Sequence, residues 1–521
     1  MRIQHSTISR RDFMKGIGLA GTGLGAVAAS TPIFHDMDEV MSTSTWKVKQ
    51  PWWIKEADKP TVEIDWDLTE RFDMPTRLIY GTIDKYIGQS EVDRLKTKQA
   101  SMQKELLNGS EPGLDLKSFA LNEGSKFAWS GGAGDFPEYF KEDPFAKAPE
   151  QLGCSKWQGT PEEASKIVTA ALRLYGANIV GFSQIFDANF RKYFYLRGRD
   201  YEGPVIDDPK DPRIGQSRPG GAMLFGGITY MEPKYLFGST ASPTRNIEFE
   251  DVDKPYTTDF KKVIPNKYTN IICCAVAQDP NLTRRGPAAI KERGNFLARA
   301  ATAQAYGNLA IVQRRFQRFM KTLGYGCIAG GTGGLGPVTP WGVWSGMGEL
   351  NRMNPMIIPE WGTMIRSTII FVTDLPVAPS KPIDSGIFRF CHTCNKCATA
   401  CPYQALSMDK EPTWELHNQA NCAGAKKYMI HLEQCMQHRL SVGGCDNCMS
   451  NCPFGEGSTS WIHDFARAAM AKAPILDGFM FNMAKIFGYG HIEDPEEWWD
   501  EIRPYGGLDT TIGTRFRKPY T

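Results

Sequence analysis

The run Cys391-His-Thr-Cys394-Asn-Lys-Cys397-Ala-Thr-Ala-Cys401-Pro402 constrains this chain more than any other feature. Its spacing, C-x2-C-x2-C-x3-C-P, wraps backbone around one 4Fe–4S cubane and carries a fourth thiolate on to a second. A shortened copy follows as Cys445-Asp-Asn-Cys448-Met-Ser-Asn-Cys452-Pro453. Pairing symmetry assigns Cys391, Cys394, Cys397 and Cys452 to one cluster. It assigns Cys401, Cys445 and Cys448 to three corners of the other. The eighth ligand lies upstream, where Cys422 and Cys435 both qualify; Cys435, ten residues before Cys445, is preferred. Zinc sites usually show two C-x2-C pairs rather than this run with a partial copy.

Thirteen cysteines in an exported protein would ordinarily read as disulfides. Here Ser9-Arg10-Arg11-Asp12-Phe13-Met14-Lys15 fits the twin-arginine signal S-R-R-x-F-x-K, and a glycine-rich apolar run to Ser30 follows. Ala26, Ala28 and Ala29 supply small residues for cleavage. That run is about half the length of a membrane-spanning helix. The twin-arginine route carries folded proteins, so clusters assembled in the cytoplasm cross already enclosed. The expected location is the outer face of the cytoplasmic membrane, held peripherally. Lys plus Arg number 60 against 58 for Asp plus Glu, which argues against a broad nucleic-acid-binding face.

The chain divides into a signal (1–30), an N-terminal wrapping region (31–150), a core (151–375), a ferredoxin-like domain (376–465) and a C-terminal extension (466–521). Trp46 to Trp66 reads as an extended arm. Thr160-Pro161-Glu162-Glu163 opens a helix with apolar positions at Ile167, Ala170, Ala171 and Leu174. Gly176 to Gly181 reads as a helix stop and a short strand. Further strands are predicted at Tyr268–Val276 and Ile365–Val372, around a helix from Pro287 to Leu323 closed by Gly324 and Gly326. The alternation predicts an α/β (α+β) core. Pro376, Pro379 and Pro382 mark the linker into the cysteine segment.

Two cubanes make a one-electron wire, and the larger part of the chain should hold what the wire feeds. Here the sequence resembles the respiratory reductive dehalogenases. The resemblance spans nearly the whole length, from signal to shortened second cysteine copy. It includes Ala305-Tyr306 before Thr322-Leu323-Gly324-Tyr325, then Gly346-Met-Gly-Glu-Leu-Asn-Arg352, Arg366, Val372-Thr-Asp-Leu-Pro376 and Pro382-Ile-Asp384. It implies a nitroreductase-like core binding a base-off corrinoid (cobalamin), and two-electron, one-proton replacement of carbon–halogen by carbon–hydrogen. A halogenated hydrocarbon is the implied substrate, with a chlorinated alkene favoured. A small integral-membrane anchor subunit and a membrane electron donor are the implied partners. The chain lacks Asp-x-His-x-x-Gly, through which other corrinoid enzymes supply a histidine to cobalt, in keeping with the base-off form.

The resemblance implies Tyr306 as proton donor, Arg366 as the cation that steadies its phenolate, and Thr302 one turn earlier. A phenol stays protonated at neutral pH and can donate as charge develops on carbon. Tyr306 also falls in phase with the apolar stripe of its helix, so a core role with a partnered hydroxyl competes. The family often places an asparagine or lysine between Gly326 and Met347; here Thr332 is the nearest polar candidate. Gly331-Thr-Gly-Gly-Leu-Gly336 fits G-x-G-x-x-G, but Pro337 and Pro340 are expected to forbid the helix a dinucleotide site needs. A loop against a flat corrin face, or a plain tight loop, is expected instead. Thirteen tryptophans suggest aromatic packing around an apolar pocket. Two other readings remain: an epoxyqueuosine-reductase-like corrinoid enzyme, which the signal and the charge disfavour, and an exported iron–sulfur electron carrier, for which the middle region is too large.

Overall fold

Asn270–Ala277 is buried at all eight positions, as a strand covered on both faces must be. In the computed structural model, residues 53–74, 83–109, 111–125, 146–198, 245–258, 260–285, 296–329, 334–455, 467–469, 471, 475, 477–486 and 494–500 are described. All fall within one unit, Val48–Thr521. The signal segment and Thr332 lie outside them, as does most of the C-terminal extension.

In chain order, the elements that position the site are β1 (Lys55–Glu56), α1 (Gln89–Leu107), α2 (Leu116–Ser125), α3 (Pro161–Tyr175) and β2 (Ile179–Gln184). There follow β3 (Asn270–Ala277), α4 (Phe296–Leu323), β4 (Cys327–Ala329), α5 (Val338–Trp344) and β5 (Ile365–Thr373). The cysteine segment adds β6 (Ile383–Asp384), α6 (Ile387–Thr393) and α7 (Leu432–Val442). The central sheet has the order β2-β3-β5-β4, antiparallel throughout. A second four-stranded sheet is built from segments between Arg197 and Pro265. Helices on a sheet match the α/β (α+β) expectation.

Strand alternation sends neighbouring side chains to opposite faces. On β5, Phe371 meets Phe316 of α4, with ring centroids 4.6 Å apart. Its neighbours Ile370 and Val372 turn the other way, into a core with Ile271, Cys273, Trp341 and Val343. Trp341 is fully buried there against Phe190, Tyr193 and Phe194. This tryptophan belongs to the core and not to a pocket wall.

Helix α3 begins as its sequence dictates. Thr160 accepts from the Glu163 amide, Glu163 reaches back to the Thr160 amide, and Gly176 closes the helix in the left-handed region. Its buried face differs from the predicted stripe. Ala164, Ser165, Val168, Thr169, Ala171 and Leu172 point inward, while Ala170 is exposed and Leu174 is 80% exposed. The helix is turned so that Ser165 can donate its hydroxyl to Ala378 O.

Two further expectations are corrected. Val338–Trp344 is helical despite Pro337 and Pro340. Pro337 is the N-cap and Pro340 sits in the first turn, where no intrahelical N–H is required. Of the glycine run, 331–333 lie outside the described residues. A Cβ on Gly336 would stand 2.1 Å from Tyr193 O, so this glycine serves backbone packing. The N-terminal wrapping region (31–150) is not extended throughout: it contains the 19-residue α1. Val92 and Leu95 of α1 pack with Met436 and Leu440 of α7.

Of the arm, residues 53–66 are described, and they lie against the cysteine segment. β1 pairs with β6, and Ile64 bridges Ala425. Trp53 is 2% exposed.

Candidate metal and electron-transfer centre

Cys391 lies in the last turn of α6, Cys394 at its C-cap, and Cys397 on the one-turn helix Lys396–Thr399. Burial pushes the Cys391 thiol up to about 12, with Cys394 adding to it. Burial likewise raises Cys397 and Cys452 well above the ordinary thiol value; Cys391, Cys452 and Cys394 act on the first, Cys394 and Cys391 on the second. Cys391, Cys394, Cys397 and Cys452 are thus near enough to act on one another, and Cys397 acts on Cys448 as well. The second set forms in the same way. Burial raises Cys448, with Cys445 and Cys435 next in effect. Burial also raises Cys435, where Cys401 contributes, and takes Cys445 to about 12, where Cys435 contributes. Cys435, the preferred eighth residue, is thus near enough to act on Cys445 and Cys448 and to feel Cys401. The charge of Cys422 acts on Lys427, which donates to Cys422 O at 2.7 Å.

Buried thiols ionise only against positive charge, and a bound metal supplies it. The spacing decides which kind. Among the described residues, no three cysteine sulfurs lie within 4.8 Å of one another. Four thiolates on one zinc would stand about 3.8 Å apart. A cubane needs more room, because each thiolate reaches a different iron, and the C-x2-C-x2-C-x3-C-P run is spaced for it. The Ala405 amide also donates to Cys401 Sγ at 3.2 Å.

The stretch Gly346–Arg352 clamps this segment to the core. Glu349, 1% exposed, accepts from the Ser385 and Ile387 amides at 2.9 and 3.0 Å and from Thr61 Oγ1. Arg352, equally buried, donates Nε to Cys394 O at 3.0 Å and Nη1 to Ser407 O and Asp409 O at 2.8 and 2.7 Å. Its Nη2 donates to Cys391 O, and its guanidinium lies 3.9 Å from the Tyr428 ring centroid. One planar fork thus fixes the loop around the first thiol set. The sequence shows the motif but not this purpose.

A third group of residues sits beside the second thiol set. Four-residue spacing on α4 places Thr302 and Tyr306 one turn apart on the same face. Arg366 is the second residue of β5, at a register shift between Arg366 and Thr368 that re-aims its side chain. It donates Nε to Gln278 Oε1 at 2.8 Å and Nη2 to Thr302 Oγ1 at 3.1 Å. Its guanidinium carbon is 5.4 Å from the Tyr306 ring centroid. The same group pairs with Asp446 at 3.6 Å and meets Met449 Sδ at 3.7 Å. Asp446 and Met449 flank Cys448. A close approach makes this possible. Gly362 has φ +59°, and a Cβ there would stand 1.6 Å from Phe454 O, while Thr363 donates to Met449 O at 2.9 Å.

Tyr306, Thr302 and Arg366 are therefore brought together. Gln278 and Asp446 join them without any sequence signal, since only the fold makes them neighbours.

The pattern described as "Reductive dehalogenase subunit" matches residues 49–200, and "4Fe-4S dicluster domain" matches residues 390–456. The chain is 30% identical over 542 aligned positions to the chloroethene reductive dehalogenase of Dehalococcoides mccartyi strain VS, covering 97% of this chain and 99% of that one. It belongs to the reductive dehalogenase family. It is 28% identical to the trichloroethene reductive dehalogenase of Dehalococcoides mccartyi strain 195, over 98% of this chain and 99% of that one. This dehalogenase is therefore an oxidoreductase with a 4Fe–4S dicluster domain. The full-length likeness sets aside both the epoxyqueuosine-reductase and the electron-carrier readings.

Its fold is shared with a solved catabolic reductive dehalogenase at a TM-score of 0.52 and 16% identity, covering 84% of this chain and 49% of that one. A structure titled as suggesting a mechanism for B12-dependent dehalogenation gives 0.53 and 16%, with the same coverage. The dehalogenase spans about half the length of those solved chains.

Proposed function

We propose that this protein removes halogen from a chlorinated ethene, using two 4Fe–4S clusters to feed a base-off corrinoid in the α/β core. The reaction consumes two electrons and one proton, replaces the carbon–halogen bond by carbon–hydrogen, and releases halide. The observation that carries the reading is the position of Arg366, between Tyr306 and the loop holding Cys445 and Cys448. The full-length likeness to chloroethene and trichloroethene dehalogenases supports the substrate class.

Two thiol sets, Cys391, Cys394, Cys397 and Cys452, then Cys401, Cys435, Cys445 and Cys448, hold the clusters. The corrinoid, when bound, supplies a low-potential cobalt able to reduce the carbon–halogen bond. The sequence has no histidine between His35 and His392, so the core offers no imidazole to cobalt, which suits the base-off form. Tyr306 donates its phenolic proton to the carbon that loses halide. Arg366 holds the phenolate that forms, since a guanidinium keeps its charge and faces the ring. Thr302 and Gln278 fix that guanidinium by accepting from it. Thr302 and Thr332 are the residues assigned to the corrinoid.

The protein works outside the cytoplasmic membrane after twin-arginine export. Among the described residues no helix is long and apolar enough to cross a membrane. A separate small integral-membrane subunit anchors it and relays electrons from a membrane donor.

The test is dehalogenation by anaerobically purified protein against a panel of chlorinated ethenes, ethanes and aromatics. Reduced viologen serves as donor, with cobalamin present or omitted during reconstitution. Halide release from an ethene, dependent on cobalamin, is the expected result. Cobalamin-independent turnover, or activity on aromatics alone, would refute the assignment.

A further inference from the structure

Outside both thiol sets, three side chains at the edge of the cysteine segment point ligand atoms at one another. His417 Nε2 lies 2.6 Å from Glu433 Oε1 and 2.9 Å from His431 Nδ1; His431 Nδ1 lies 3.7 Å from Glu433 Oε1. His431 is the N-cap of α7, and Glu433 is in its first turn. Chain folding alone brings His417 against them from a loop fourteen residues upstream of His431.

Two separate two-centre hydrogen bonds at His417 Nε2 cannot satisfy this arrangement; one N–H shared between Glu433 and a neutral His431 Nδ1 would be its only protonic form. A neutral imidazole nitrogen either carries its hydrogen or offers its lone pair. If His417 Nε2 donates to Glu433, it has no lone pair left for a hydrogen on His431 Nδ1. If it accepts from His431, it faces the Glu433 carboxylate lone pair to lone pair. A divalent cation among the three satisfies all of them. Zinc takes nitrogen and oxygen ligands at about 2.0–2.2 Å, which separates neighbouring ligand atoms by about 3.0–3.5 Å. The His431–Glu433 spacing of 3.7 Å suits such an ion, while the 2.6 and 2.9 Å spacings to His417 are shorter, so His417 would move outward by about 0.5–1 Å to admit it.

We propose that His417, His431 and Glu433 form a site for a divalent transition cation of the zinc type. The two imidazoles select such metals over calcium or magnesium, which prefer all-oxygen sites. Asn418 Nδ2 donates to Glu433 Oε2 at 3.0 Å, leaving Oε1 turned toward the histidines. A carboxylate oriented by a neighbouring hydrogen bond is a usual feature around metal ligands. His417 is exposed and the other two are partly so, which leaves the remaining coordination positions to water. The His431 amide donates to Ala405 O at 2.9 Å, and Cys435 follows one turn further along α7. The cation would fasten the 417–418 loop to the helix that presents Cys435.

The experiment uses the full-length, anaerobically purified holoprotein, stripped of loosely held metal and dialysed against about 10 µM zinc. Bound zinc, iron and cobalt are then measured per chain, independently of any dehalogenation. Wild type should retain one zinc more than the His417→Gln/His431→Gln double variant, with iron and cobalt contents alike. Zinc should also raise the apparent melting temperature of wild type and not of the variant. Should the double variant lose iron, the isosteric Glu433→Gln variant is read the same way and should lose most of the zinc. Equal zinc in wild type and variants, or none in wild type, would overturn the site.

Discussion

Arg366 and Asp446 form an ion pair, 3.6 Å apart, that joins the second strand residue of the core to the loop between Cys445 and Cys448. The same guanidinium faces the Tyr306 ring and donates to Gln278 and Thr302. The proposed sources of the electrons and of the proton are thus joined by one cation. Hydrogen bonds to a charged group contribute about 1.5–3 kcal/mol each, enough to hold the side chain in one geometry.

Tyr306→Phe removes the transferable proton and leaves the ring packing in place. Turnover should fall at least tenfold, since a positioned acid contributes about 10²–10⁴-fold, while iron and cobalt contents stay at wild-type values. Full turnover with the variant would take Tyr306 out of the reaction.

Cys435→Ser should lose one cubane or convert it to a three-iron form, seen in iron analysis and in the EPR spectrum of the reduced protein. Cys422→Ser should keep both clusters, because Cys422 faces Lys427. The reverse pattern would exchange the two assignments.

Arg352 holds four backbone carbonyls with one side chain. Each buried acceptor left without a donor costs about 1–3 kcal/mol. Arg352→Leu should therefore release the first cluster, taking iron from about eight toward about four per chain. Lysine should not rescue it, since an ammonium cannot span the fork. Unchanged iron in either variant would show that the loop holds without Arg352.

Asp279 caps the helix Pro280–Arg284 and is 5% exposed. Burial raises its pKa to about 6, against the opposing effect of the Leu282 and Asn281 amides and of Arg285. A carboxyl whose folded pKa exceeds its unfolded value stabilises the fold while protonated. That contribution is complete below the unfolded pKa and is lost as pH rises from there through about 6. Between pH 5 and pH 7 wild type should lose about 1 kcal/mol relative to Asp279→Asn. Apparent melting temperatures of both proteins at pH 5, 6 and 7 measure this. Parallel curves would contradict it.

Features set by local chemistry are legible in the sequence. Ligand spacing around a cubane is fixed by covalent geometry, so the cysteine runs alone announce the 4Fe–4S dicluster domain, while the eighth ligand stays open between Cys422 and Cys435. The Thr160 capping box and the unbroken apolar run at β3 are equally local. What escapes depends on contacts distant in sequence. The inward face of α3 is the one that buries Val168, Ala171 and Leu172 and brings Ser165 to Ala378 O, and it leaves Leu174 in solvent. Helix α1 buries only Val92, Leu95, Gln99 and Leu106, too narrow a stripe to stand out in a polar segment. Pro340 looks like a helix breaker until the helix start at Pro337 puts it in a first turn. Gln278 and Asp446 carry no motif; the close approach at Gly362 brings the Asp446 loop to Arg366.

The central claim is that electrons leave two cubanes for a corrinoid enclosed in the core. Metal analysis of intact protein, purified without oxygen and reconstituted with cobalamin, tests it most directly. The expected result is about eight irons and one cobalt per chain, with a corrin absorption band that remains after desalting. Full iron with no cobalt and no corrinoid uptake would contradict the account.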